Sequence, residues 1–187
     1  MRSEYKVAVF VGSLRKESFN LKVAKALIAL APETLKLEIH EIGHLSFYNQ
    51  DDDEGQPPPA WMEFRERVKA TDAVLFVTPE YNRSVPAVLK NALDIGSRPY
   101  GQNVWDGKPG AVVSVSPGAI GGFGANHHLR QSLVFLNVPT LQQPEAYIGS
   151  VNTLLDTAGN LANADTKAFL VKFLKAFSGW VKANHKA

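Results

Sequence analysis

Three short apolar runs, separated by longer helix-like stretches, constrain the fold more than any other feature of this sequence. They cover residues 7–11, 73–77 and 111–115, are rich in β-branched residues and show no polar alternation. Strands of this kind are usually covered on both faces, as in parallel sheets. A fourth run at 35–42 alternates between apolar and polar residues, which predicts a strand near a sheet edge. A weaker fifth candidate covers 138–148.

Between these runs, apolar residues recur at the spacing of a helix face. The repeats that predict five helices are Leu21, Ala24, Leu27 and Ile28; Trp61, Phe64 and Val68; Val85, Leu89, Ala92 and Leu93; Leu129, Leu133 and Leu136; and Phe169, Phe173, Phe177 and Trp180, with the last helix starting near Asp165. Strands that alternate with helices predict an α/β fold, a doubly wound parallel sheet with helices on both faces. Five such pairs favour the flavodoxin-like strand order 2-1-3-4-5 over the six-stranded Rossmann order.

Length and composition are those of one globular domain spanning residues 1–187. The 45% of hydrophobic residues and 20% of charged residues describe a chain that folds. The absence of cysteine excludes disulfides, thiolate metal sites and cysteine nucleophiles. A net charge of +2 with scattered basic residues gives no support to nucleic-acid binding. Because the apolar runs are too short for a membrane span or a signal peptide, we expect a cytoplasmic protein without membrane contact.

In an open α/β sheet, ligands bind beyond the carboxyl ends of the strands, where the strand order reverses. The loop after the first predicted strand reads GSLRKESFN and leads into a helix. Ser13, Ser18 and Asn20 offer side-chain donors to an anion. Arg15 adds a bidentate guanidinium, and the helix start adds free N–H groups. These residues suit a phosphate monoester, but they also suit a plain helix start with Ser18 as N-cap and Arg15 and Lys16 in solvent.

The loop after the third predicted strand reads TPEYNRSVP and suits a flat aromatic ring with polar edges. Tyr81 offers a ring contact, and Asn82 offers hydrogen bonds to ring carbonyls and nitrogens. Glu80 either shapes the loop or meets the ring edge. We expect Ser84 to cap the next helix, with Pro86 in its first turn. Read singly, Asn82 is also typical of a turn and Tyr81 of core packing.

The loop after the fourth predicted strand reads SPGAIGGFG, and its glycines allow the backbone to approach a flat or charged group. Together, the three loops place an anion cradle, an aromatic and polar clamp and a glycine loop on one edge of one sheet. This combination suits FMN, with its phosphate on the first loop and its isoalloxazine between the other two. A mononucleotide fits better than a dinucleotide because no G-x-G-x-x-G follows the first strand.

The sequence resembles the NADPH-dependent FMN reductase family, which includes quinone and chromate reductases. The motifs that carry the resemblance are GSLRKESFN at 12–20, PEYNRSVPAVLKNALD at 79–94 and SPGAIGG at 116–122. The resemblance implies that Ser13, Arg15, Ser18 and Asn20 hold the FMN phosphate, that Pro79, Glu80, Tyr81 and Asn82 line the isoalloxazine, and that Ser116 and Gly118 close its other side. Lys16 and Phe19 complete the predicted cofactor-binding set.

The expected activity is NAD(P)H-dependent reduction of bound FMN, followed by electron transfer to a quinone, a flavin, an azo compound or a metal oxyanion such as chromate. The flavin carries the chemistry, so no catalytic side chain and no metal are predicted. The alternative to a reductase is a flavodoxin-type electron carrier. Such carriers are usually strongly acidic, whereas this chain has a net charge of +2. The resemblance also implies a homodimer or homotetramer. The residues leave open the physiological acceptor and the choice between NADPH and NADH.

Other conspicuous residues receive ordinary interpretations. His127 and His128 are adjacent, so on a helix they point about 100° apart and make a poor metal pair. The acidic run 51–54 lies in a long connection, 43–59, and we expect it to be solvated. The roles of that connection and of Arg83 stay open.

Overall fold

The computed structural model describes residues 4–185. Its centre is a five-stranded parallel sheet with the order β2-β1-β3-β4-β5, which confirms the predicted α/β fold and strand order. The strands are β1 (Tyr5–Val11), β2 (Leu35–Ile39), β3 (Ala73–Thr78), β4 (Gly110–Val115) and β5 (Ala146–Ile148). The helices are α1 (Phe19–Ala29), α2 (Gln50–Glu54), α3 (Pro59–Lys69), α4 (Ala87–Gly96), α5 (Phe123–Phe135) and α6 (Ala164–Asn184), with a short 3₁₀ turn at Val151–Thr153.

The three central strands are apolar because both of their faces are covered. On one face, side chains such as Val9 and Leu75 pack against α1 and against Phe173 of α6. On the other face, Phe10 and Phe76 stack, and helices α3, α4 and α5 cover them. Fully burying an apolar side chain of this size contributes roughly 1.5–3 kcal/mol. These two layers support the sheet whose carboxyl edge carries the loops that follow β1, β3 and β4.

The outer strands are shorter than the sequence pattern predicts. The β2 ladder ends where Val9 pairs with Ile39, and one further bond joins the His40 amide to the Val9 carbonyl at 3.0 Å. The run at 138–148 yields a strand of three residues because Pro139 and Pro144 interrupt it. Proline lacks the N–H group that a strand needs for its ladder.

The acidic connection between β2 and α3 is partly ordered rather than simply solvated, so that expectation was wrong for Asp53. Residues 50–54 form helix α2, which begins at an Asn49 cap. The Asp53 carboxylate is buried, and its Oδ1 lies 2.8 Å from Nη1 of Arg65, which is equally buried. Arg65 also donates from Nε to the Ile95 carbonyl at 2.9 Å. The connection is therefore tied to α3 and α4.

The longest helix, α6, carries several charged residues along its 21 positions. Among residues 4–185, none of the helices is long and apolar enough to cross a bilayer.

Candidate functional site

The loops after β1 and β3 meet at the carboxyl edge of the sheet, and Gly12 makes their contact possible. Its amide donates to the Val77 carbonyl at 2.9 Å, which continues the ladder between β1 and β3. A Cβ at Gly12 would lie 2.6 Å from Leu89 Cδ1 and 2.8 Å from Pro79 Cδ. Any larger residue would therefore push the two loops apart. The close approach brings the starts of both loops together at this edge of the sheet.

Ser18 is the anchor of the β1–α1 loop. It is 2% exposed, and its Oγ accepts a hydrogen bond from the Leu21 amide at 3.2 Å, so it is the N-cap of α1. This confirms that Ser18 caps the helix. The hydroxyl can still donate its own proton to a second acceptor. The cap and a hydrogen bond to an anion are therefore compatible in one residue.

The rest of the β1–α1 loop carries donors without partners. Arg15 and Lys16 are exposed, and neither forms an ion pair within residues 4–185. In the same part of the chain, the amides of Phe19 and Asn20, in the first turn of α1, and of Ser13, in the loop, donate to no acceptor. Unpaired amides at a helix N-terminus attract anions, because the helix dipole adds to their partial charges.

Asn20 shows an unusual feature of this loop. The residue is buried, and its Oδ1 is shielded from solvent without a hydrogen-bond partner in the described structure. A buried polar atom of this kind costs roughly 1–3 kcal/mol unless a partner arrives. A bound group with hydroxyls, such as the ribityl chain and phosphate of FMN, fits that need. The loop's donors and this unsatisfied acceptor together suit the predicted cofactor.

The loop after β3 is a tight two-residue turn. The amides and carbonyls of Tyr81 and Ser84 bond to each other at 3.1 and 3.0 Å, and Asn82 and Arg83 both have left-handed φ angles of 51° and 63°. Left-handed φ at both central positions defines a type I′ turn. The expectation that Ser84 caps α4 was wrong, because α4 begins at Ala87 and the Ser84 Oγ instead lies 3.0 Å from Nδ1 of His128.

Glu80 joins the β3 loop to the start of α5. Its Oε2 accepts from the Ala125 amide in the first turn of α5 at 3.1 Å, and its Oε1 accepts from Nη1 of Arg83 at 2.9 Å. The N-cap of α5 is Gly122, which has no side chain for this purpose. Glu80 thus shapes the loop by capping a helix, which is one of the two roles that its sequence position left open.

The β4–α5 loop exposes backbone donors. Ser116 and Gly118 are bonded to each other, since the Gly118 amide donates to the Ser116 Oγ at 3.0 Å. Ala119 and Ile120 are exposed residues, and their amides donate to no acceptor within residues 4–185. Gly121 has a left-handed φ of 66°, which explains a glycine there. The unpaired amides of Ala119 and Ile120 therefore come after Gly118 in the loop, and the Gly118 amide is not one of them.

A cluster beside the glycine loop was not identified from the sequence. Phe123, half-exposed at the start of α5, lies 4.3 Å from the ring centroid of His127 and 5.5 Å from that of Tyr147. His127 Nε2 lies 2.9 Å from the Tyr147 hydroxyl. Burial and a hydrogen bond with Glu145 raise the pKa of Tyr147 to about 12. The signal in the sequence was Phe123 itself, an apolar residue directly after a glycine run.

Most of the predicted site residues lie on the three loops at the carboxyl edge of the sheet. Ser13, Arg15, Ser18, Phe19 and Asn20 share the β1–α1 segment, and Glu80 links the β3 loop to the first turn of α5, directly after the β4 loop. Within residues 4–185, no group of three or more His, Asp or Glu side chains is arranged to hold a metal ion. Tyr81 is half-exposed and Asn82 is exposed, so both are available to a ligand.

Comparison with known proteins identifies relatives over nearly the whole chain. Residues 5–153 match the model of a family described as NADPH-dependent FMN reductase. A quinone reductase from Pseudomonas putida is 62% identical over 184 residues, covering 98% of each chain. A 2-hydroxy-1,4-benzoquinone reductase from Burkholderia sp. is 46% identical, covering 95% of this chain and 96% of the other. The structure of FerB, a flavoenzyme NAD(P)H:(acceptor) oxidoreductase from Paracoccus denitrificans, superposes with a TM-score of 0.91 at 41% identity over 97% of this chain and 100% of that one.

Proposed function

The chain belongs to the NADPH-dependent FMN reductase family, and from this premise we propose that it reduces small quinones with its FMN held across the β1, β3 and β4 loops. The enzyme uses FMN and takes its electrons from NAD(P)H. Quinones are the acceptors named for the relatives at 62% and 46% identity, which supports a quinone here. A carrier without its own NAD(P)H activity finds no such support.

The phosphate of FMN belongs in the β1–α1 loop. Arg15 supplies an exposed, unpaired guanidinium, and the Ser18 hydroxyl supplies a fixed donor from the helix cap. The unpaired amides of Phe19 and Asn20 add the field of the helix N-terminus. Ser13 and Lys16 belong to the same loop, where Ser13 is half-buried and Lys16 is exposed. Hydrogen bonds to charged groups contribute roughly 1.5–3 kcal/mol each, so a few of them account for tight binding.

The isoalloxazine belongs between the β3 and β4 loops. Tyr81 offers apolar contact, and Asn82 offers its amide at the ring edge. Pro79, which was also predicted to line the ring, is buried beside Gly12. In the β4–α5 loop, the amides of Ala119 and Ile120 have no acceptor within residues 4–185. We place the hydrogen bonds to the ring on these two amides, because the Gly118 amide is already bonded to Ser116.

When bound, FMN would supply the redox chemistry that links the nicotinamide to the quinone. This chain orients the ring and stabilises negative charge on it through backbone amides that are fixed in advance. Glu80 keeps the β4 loop in place by bonding to Ala125. The half-exposed rings of Tyr81 and Phe123 leave an apolar surface at this edge of the sheet, against which a flat quinone packs. No side chain of this chain is assigned as acid, base or nucleophile.

One observation carries the proposal, namely the set of unpaired donors around a buried, capping serine in the β1–α1 loop. Its test is FMN titration of the cofactor-free protein, followed by flavin fluorescence. Arg15→Ala removes one charge-assisted contact and should weaken FMN binding roughly ten- to hundredfold. Arg67→Ala, which removes an exposed arginine on α3, is the matched control and should bind FMN as the parent does.

The function itself is tested by anaerobic addition of NADPH to the FMN-loaded protein, followed by 1,4-benzoquinone. We expect bleaching of the flavin absorbance and then its recovery. A loaded protein that NADPH leaves yellow would contradict the proposed activity. Unchanged FMN affinity in Arg15→Ala would contradict the proposed phosphate site.

We also propose that the chain acts as a single domain and as a homo-oligomer. Both apolar layers share one sheet, which supports a single folding unit. Phe135 is 86% exposed at the edge of a groove of about 590 Å³ between α4 and α5, and the neighbouring Val134 is also exposed. Large exposed apolar side chains of this kind often mark protein contacts. Light scattering on the purified protein tests the assembly, and a monomeric mass would contradict it.

A further inference from the structure

A second cavity lies beside the β1–α1 loop, on the outer side of α1. Its volume is about 520 Å³, and its walls come from α1, the turn at 158–161 and the first turn of α6. Four lysines line it, and among the described lining residues Glu17 carries the one carboxylate. The lysines are Lys16, Lys22, Lys25 and Lys167.

The lining of this cavity carries more positive than negative side chains. Lys22 Nζ lies 2.7 Å from Glu17 Oε2, and that hydrogen bond holds the pKa of Glu17 below its usual value. Within the part of the chain that the structure describes, Lys16, Lys25 and Lys167 form no ion pair. A concave surface with one sign of charge concentrates anions from solution. The cavity therefore favours a ligand with more than one negative charge.

The shape of the cavity adds an apolar requirement. Leu21, Ala26 and Leu161 contribute to its lining between the lysines. Its volume lies within the usual range for small-molecule sites, roughly 300–1,000 Å³. A purine ring that carries a phosphate on its sugar combines an apolar plane with a dianion. Such a group fits the lining better than inorganic phosphate alone.

The cavity is continuous with the loop that we assign to FMN, because Lys16 and Ser18 belong to both. We propose that it binds the adenosine end of NADPH through the 2′-phosphate, and that Lys25 and Lys167 set a preference for NADPH over NADH. The 2′-phosphate is the group that distinguishes the two nicotinamides. The inference rests on the proposed function for its ligand. Its site overlaps the proposed flavin contacts at Lys16 and Ser18, so the test uses Lys25 and Lys167, which lie outside them.

The test compares a variant in which Lys25→Gln and Lys167→Gln are combined with a matched control that combines Lys172→Gln and Lys175→Gln. The control removes two exposed charges from α6 outside the cavity. Calorimetric titration of the FMN-loaded proteins with 2′,5′-ADP measures binding without catalysis. We expect the parent and the control to bind 2′,5′-ADP, and the cavity variant to bind it at least about tenfold more weakly.

Steady-state kinetics give the second readout. The cavity variant should lose about tenfold or more in kcat/KM with NADPH and stay within about twofold of the parent with NADH. Its flavin content should be unchanged. Equal losses with both nicotinamides, or equal binding of 2′,5′-ADP by all three proteins, would overturn the proposal. Equal affinity of the parent for 5′-AMP and 2′,5′-ADP would also overturn it, whereas failure of the quinone reductase function would leave the 2′,5′-ADP titration intact.

Discussion

Replacing Glu80 tests whether one carboxylate holds the β3 loop to the start of α5. Its side chain is 12% exposed, and its Oε2 accepts from the Ala125 amide at 3.1 Å. The same carboxylate meets Arg83 at 2.9 Å, but the arginine side chain is 73% exposed. Because Gly122 offers α5 no side-chain cap, Glu80→Ala leaves a helix amide without its acceptor.

The size of the effect follows from the two contacts. A hydrogen bond to a charged group contributes roughly 1.5–3 kcal/mol, whereas an exposed ion pair contributes about 0–1 kcal/mol. Glu80→Ala should therefore lower the free energy of unfolding by about 2–3 kcal/mol. Glu80→Gln keeps an acceptor for Ala125 and should cost about 1 kcal/mol through the lost charge at the helix start. Arg83→Ala, the matched control, should cost less than about 0.5 kcal/mol.

Urea unfolding of the cofactor-free protein at pH 7, followed by far-ultraviolet circular dichroism, measures these differences. The predicted ranking places Glu80→Ala well below Glu80→Gln, and Arg83→Ala close to the parent. If Arg83→Ala lost as much stability as Glu80→Ala, the ion pair rather than the helix cap would be the stabilising contact, and the reasoning would be refuted.

Three further perturbations probe other parts of the fold and the site. Asp53→Asn leaves the buried Arg65 unpaired and should lower the free energy of unfolding by roughly 3 kcal/mol in urea titration, with a loss below 1 kcal/mol counting against it. Burial lowers the pKa of His40, so protonation of this residue favours the unfolded chain. The free energy of unfolding should therefore be highest above a pH of about 6.5 and should fall as the pH drops below it. In unfolding curves taken from pH 7 to 5, His40→Phe should reduce that pH dependence. A Cβ at Gly149 would overlap the Ala119 carbonyl, so Gly149→Ala should displace the β4 loop and weaken FMN binding at least tenfold, whereas an unchanged affinity would show that the loop is not part of the site.

The sequence predicted the central strands because burial on both faces leaves a clear apolar signal. Val9, Leu75 and Val113 lie where the runs place them, and the strand order followed from the alternation of strands and helices. The edge strands were less predictable, since β5 depends on where Pro139 and Pro144 stop interrupting the ladder.

Contacts between segments that are distant along the chain could not be predicted from the sequence. The residues at 51–54 do not indicate that Asp53 forms an ion pair with Arg65, because that ion pair depends on how the connection folds back onto α3. The capping of α5 by Glu80 is of the same kind. The turn at Asn82 and Arg83 was not predicted either, because arginine is an uncommon residue at a left-handed position. This turn includes Ser84, so helix α4 begins later, at Ala87.

The central claim is that the β1–α1 loop binds a phosphate dianion, and titration of the cofactor-free protein with FMN and with riboflavin tests it most directly. Riboflavin carries the same ring and ribityl chain but lacks the phosphate. Two or more charge-assisted contacts to the phosphate predict that FMN binds at least about a hundredfold more tightly than riboflavin. Equal dissociation constants for the two flavins would contradict the account.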